Sequence, residues 1–157
     1  MPPDLVVTDR EGQPLLVVEV RWSPAGHQAL ALASASMKTA GSPAGGPVPF
    51  GMVVDPEVVR VYRAVGGRVD LLGLLPTDEL LRRYDRHFTH LDTSEGTKSG
   101  LRFYLTGMAS VWLEDLIDPW KPGAPPVMDR FEESGLLQRL HGATVVEQGL
   151  VRDDPLR

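Results

Sequence analysis

The sequence predicts an α/β fold, on three observations. Two apolar stretches flank a short polar turn containing Gly12, and the second is apolar at 15, 16, 17, 18 and 20 without alternation; an unbroken apolar strand is one covered on both faces. An Ala- and Leu-rich segment of helical character follows it. After that come three short strand-like runs separated by turn residues, and then further helical patterns.

Taken in order, residues 4–9 and 14–22 read as an antiparallel pair joined by Arg10-Glu11-Gly12-Gln13, where Gly supplies the positive φ of a tight turn. Glu19 and Arg21 are two apart and therefore share a face. On a central strand their charged heads must reach solvent, a metal ion or each other. Ser23-Pro24 predicts a helix start, with Ser as cap and Pro at the first helical position, and the helix runs to about Lys38. Residues 41–49, rich in Gly and Pro, form a loop. Strands are expected over 50–54, 58–62 and 69–74, with turns at 55–57 and 66–67. Pro76-Thr77-Asp78-Glu79 opens another helix, with a cap candidate and acidic residues in its first turn. A loop over 89–100 precedes a helix over 101–117 that can begin as a short strand; a helix over 128–140 and a strand over 143–147 follow. The length suits one domain, residues 1–150, with 151–157 as a frayed tail.

Composition narrows the function classes. With 42% hydrophobic and 24% charged residues the chain has the makings of an ordinary folded domain. No apolar run approaches the roughly 20 residues that span a bilayer, and no basic-then-apolar leader opens the chain, so a cytoplasmic location without membrane contact is expected. The absence of cysteine leaves carboxylate, His and backbone oxygen as metal ligands. A formal net charge of −5 argues against nucleic-acid binding over the whole surface and leaves room for a local basic groove.

At Pro3-Asp4, Glu19-Val20-Arg21 and the helix containing Gln28, the chain resembles the PD-(D/E)XK superfamily, the restriction-endonuclease-like nucleases. The match covers about residues 3–85. The resemblance implies a mixed central β-sheet flanked by helices and Mg²⁺-dependent hydrolysis of phosphodiesters in DNA. Asp4 and Glu19 would hold the cation, with the Val20 carbonyl as a further ligand, and Gln28 would line the site. Hard cations take such oxygen ligands, and the bound ion acidifies water and offsets charge on the phosphate.

Two departures from the family pattern stand out. Arg21 occupies the place of the family's Lys; it can clamp phosphate, but it stays protonated and makes a poor general base. Lys38, late on the helix, is an alternative source of an ammonium. The family also begins with a helix, often bearing a Glu, and a strand ahead of the Asp, whereas only Met1 to Pro3 precede it here. Residues 129–148, helix then strand with Glu132 and Glu133, can take that place in a permuted order, or a partner subunit covers the sheet edge. The expectation from a different class is a catalytically inactive nuclease-like module for homo-oligomerisation or protein-partner binding.

The remaining candidates have plainer explanations. His87 and His90, near Asp85 and Asp92, sit at a helix end where cations meet the negative end of the dipole. Arg82, Arg83 and Arg86 read as a solvated helix face. Lys98-Ser99 follows Thr97 where a phosphate-binding loop needs Gly, which rules out a P-loop. Met108, Trp112 and Trp120 read as core or interface residues.

Overall fold

In a computed structural model, described for residues 3–41, 45–84, 98–119, 122–127 and 130–147, the hairpin becomes the middle of a mixed sheet. Strands β1 (Leu5–Thr8) and β2 (Pro14–Val20) pair antiparallel, with Leu5 opposite Val18. Asp9 caps the turn: its Oδ1 accepts the amides of Glu11 and Gln13 at 3.0 and 2.9 Å, and Gly12 has φ 80°. β3 (Phe50–Val54) lies parallel to β2, and β4 (Val58–Val65) and β5 (Arg68–Pro76) continue antiparallel from it. β6 (Thr144–Glu147) pairs antiparallel with the outer side of β1, so the order is β5-β4-β3-β2-β1-β6.

Parallel β2 and β3 need a crossover, supplied by α1 (Ala29–Ala40). Its contact side is small: Ala29 and Ala33 are buried with Met37 against Val6, Val17 and Val53. The small side chains bring the helix close to the sheet, and a Cβ on Gly51 would fall 2.6 Å from Met37 Sδ. The other face carries the larger core, in which Leu5, Val7, Leu16, Val18, Phe50 and Met52 meet the helices α2 (Thr77–Tyr84), α3 (Lys98–Ile117), α4 (Arg130–Ser134) and α5 (Leu136–Leu140). Trp112 is fully buried there, its ring 6.3 Å from that of Phe131 and its Nε1 donating to the Pro126 carbonyl at 2.9 Å. Met108 is buried in the same core. The architecture is thus α/β, a six-stranded mixed sheet flanked by helices.

Several local expectations need correction. The helix after β2 does not start at Ser23-Pro24. Residues Gly26–Gln28 form a 3₁₀ turn, Gly26 has φ 54°, and α1 begins at Ala29 with Gln28 at its cap position and no capping side chain. The physical reason lies across the sheet, where the Ala25 amide donates to Asp55 Oδ2 at 2.9 Å and is withdrawn from any cap. Thr77 likewise is no cap: it is the first residue of α2, and its hydroxyl donates to the Asp55 carbonyl at 2.7 Å. The helix over 128–140 is two short ones, broken at Gly135 with φ 82°. Residues 101–117 lie within one helix and contain no strand. His87, His90, Arg86, Trp120, the side chains of Lys98 and Ser99 and the tail 151–157 lie outside the described residues.

Candidate functional site

Asp4 stands one residue before β1 and, by the register of the hairpin, opposite Glu19. Glu19 shares the α1 side of the sheet with Val17, since alternate strand residues point the same way. Asp4 is buried, and both of its oxygens are engaged. Oδ2 accepts the Val20 amide at 2.8 Å, and Oδ1 accepts Arg102 Nη2 in a close charge-assisted bond. A strand residue's N–H and C=O point to the same side, so the Val20 carbonyl also faces the β1 side. Its neighbour Arg21 turns its amide the other way, to the Val54 carbonyl at 2.8 Å.

Glu19 is the perturbed group. Burial, and then the nearby Asp4 carboxylate, push its pKa from 4.5 up to about 7 against the opposing pull of Arg21 and Arg102. The Arg21 guanidinium lies 3.8 Å from Glu19 Oε1, and its side chain is 40% exposed. That separation is too long for a good hydrogen bond and water screens it, which is why the cation loses to desolvation.

The structure therefore brings Asp4, Glu19, Val20 and Arg21 to one end of the sheet. Gln28 is exposed at the junction of the 3₁₀ turn and α1, and its side chain makes no hydrogen bond to the charged cluster among the described residues. Lys38 cannot replace the family's Lys. The Met37 carbonyl accepts the Val48 amide at 3.0 Å just before β3 starts, so Lys38 lies at the Leu16 and Phe50 end of the sheet, away from Glu19. A crossover helix runs back along the strands it joins, which puts its last turn at the wrong end.

Two residues not among the sequence-based candidates complete the arrangement. Arg102, from the first turns of α3, reaches Asp4 across 98 positions of sequence. Asp55 follows β3 and is fully buried. Its Oδ1 takes the amides of Glu57 and Val58 at 2.8 and 2.9 Å, and its Oδ2 takes the Ala25 amide and Arg60 Nη1 at 2.9 and 3.2 Å. It anchors the segment that follows Arg21. A signal for Asp55 existed in its place ahead of Pro56 at a strand end; none existed for Arg102.

The donors suit a hard cation in kind: two carboxylates on adjoining strands and a strand carbonyl, all oxygen. Among the described residues no group of three or more His, Cys, Asp or Glu side chains gathers at one point, so such an ion would rest on two carboxylates. Also among the described residues, no helix is long and apolar enough to cross a membrane. No family model, curated protein or solved structure matches the chain.

Proposed function

We propose that this chain is a restriction-endonuclease-like protein that acts on phosphodiesters in DNA with Mg²⁺. Asp4 and Glu19 would hold the ion, with the Val20 carbonyl as a further oxygen and water for the remaining positions. The observation that carries this reading is the opposed Asp4 and Glu19 pair, buried enough that Glu19 is held protonated up to about pH 7. A carboxylate pair of this kind stores repulsion that a divalent cation relieves. When bound, the ion supplies an acidified water and charge stabilisation on the phosphate.

The chain's own residues supply the rest. Arg21, exposed beside the pair, binds a phosphate oxygen, and because it keeps its proton it takes none from water. Turnover is accordingly expected to be slow. Further support comes from the strand order: β6, preceded by α4 and α5, lies antiparallel beside β1, where the family resemblance calls for a helix and strand ahead of the Asp-bearing strand.

Cleavage of supercoiled, linear and single-stranded DNA with Mg²⁺ or Mn²⁺ tests the proposal. Asp4→Ala and Glu19→Ala are each expected to lower the rate about a hundred-fold or more; the same residual rate in all three proteins would sink it.

A second reading is favoured by one contact, the Arg102 guanidinium on Asp4, together with Arg in the place of the family's Lys. In that reading the module is catalytically inactive and works by self-association or by binding a protein partner. Cleavage gained by Arg21→Lys would decide against it, and a concentration-dependent dimer with no metal uptake would decide for it.

A further inference from the structure

We propose that Arg102 is the resident counter-ion of the Asp4 and Glu19 pair and that a divalent cation binds there only by displacing it. This rests on the metal reading given above. The Val20 amide already holds Asp4 Oδ2, which leaves Oδ1 as the oxygen open to an ion, and Arg102 Nη2 sits on Oδ1. The hairpin register sets Glu19 opposite Asp4, so the guanidinium that neutralises Asp4 lies beside both donors. A guanidinium and a divalent ion cannot share one carboxylate oxygen without strong like-charge repulsion.

Three features make Arg102 a displaceable competitor and not a fixed support. Its side chain is 37% exposed, so it has solvent to move into. Its grip on Asp4 is single: an Arg fork commonly meets a carboxylate through two parallel bonds, whereas here only Nη2 donates and Nε is buried without a hydrogen-bond partner among the described residues. Finally, α3 is held independently of it, since Leu101, Leu105, Met108, Ala109 and Trp112 bury that helix against the sheet. A competitor that occupies the ligand's position lowers apparent affinity by the share of time it spends there.

Mn²⁺ titration of the full chain without DNA, read by calorimetry, is the test. Arg102→Gln is expected to bind Mn²⁺ roughly ten- to hundred-fold tighter than the natural chain, the size of effect that loss of one charge-assisted bond at the ligand oxygen brings. Arg102→Lys, which keeps a charge, is expected to fall between them. Equal or weaker binding by folded Arg102→Gln, when the natural chain does bind, overturns the competitor role and leaves the metal site standing. Absence of binding by both proteins at millimolar Mn²⁺ overturns both. Should Arg102→Gln fail to fold, the guanidinium NMR signals of Arg102 in the natural chain decide: they move on Mg²⁺ addition if the ion displaces it, and unmoved signals beside a bound ion overturn the proposal.

Discussion

Glu19 is a carboxylate whose folded environment favours the neutral form, and this reverses the usual pH dependence of a paired acid. Its folded pKa is about 7 and its ordinary value 4.5, so the unfolded chain gives up the proton first. Whatever stability Glu19 supports is fully present below pH 4.5, is lost as the pH rises to about 7, and stays lost above that. Glu19→Gln is therefore expected to leave the melting temperature unchanged at pH 4.5 and to raise it at pH 8. The gain at pH 8 is on the order of 1 to 2 kcal/mol, discounted for partial exposure of the site. Thermal melts of both proteins at the two pH values check this; an equal difference at both would remove burial of the charge as its cause. Arg21 could not have been predicted to lose this contest from spacing alone. Two residues on one face look like an ion pair, and only the 3.8 Å separation shows how little Arg21 offsets.

Among the elements, the end of β3 is the junction. Asp55 ties the segment after β2, the turn into β4 and, through its carbonyl, the start of α2. Asp55→Ala strands three amides, that of Ala25 buried and those of Glu57 and Val58 partly so, and frees Arg60, and a loss of about 3 kcal/mol is expected. Urea unfolding measures it; a loss below about 1 kcal/mol would mean that water replaces the carboxylate. The same junction explains what could be read from the chain and what could not. β1 to β5 and α2 announced themselves through local signals: Gly12 and Gly66-Gly67 at turns, an unbroken apolar strand, acidic residues opening a helix. The start of α1 did not, because the Ser23-Pro24 signal was overruled by a tertiary bond from Ala25 to Asp55. The expected helix over 128–140 took no account of Gly135, whose φ of 82° breaks it in two. Asp4, Glu19 and Arg21 could be placed together because a hairpin makes their proximity local. Arg102 could not, since its partner lies on a different element and no periodicity links them.

For the molecule as a whole, the formal net charge of −5 limits how the proposed DNA substrate could be held. Under the proposed function, contacts confined to the sheet end would let Arg21 and a displaced Arg102 neutralise about two phosphates, and the logarithm of affinity is then expected to fall against the logarithm of salt with a slope of about −1.8. That is roughly a twelve-fold loss between 50 and 200 mM salt. Filter binding or anisotropy in Ca²⁺ over that range measures the slope. A slope steeper than about −5 would place a larger basic surface elsewhere on the chain. The sheet's overall order was also less legible than its strands, since which strand lies beside β1 depends on packing that no short stretch encodes.

The placement of β6 against β1 has a consequence for how the protein is made. Of the six strands, β1 leaves the ribosome first and its outer neighbour last. Until β6 emerges the outer edge of β1 lacks this neighbour, and the charged sheet end lacks Arg102 until α3 emerges. Bare edges of this kind are where nascent chains find one another. The yield of folded protein is then expected to depend on how well that edge is shielded during synthesis, by chaperones or by slow expression, as well as on the stability of the finished fold.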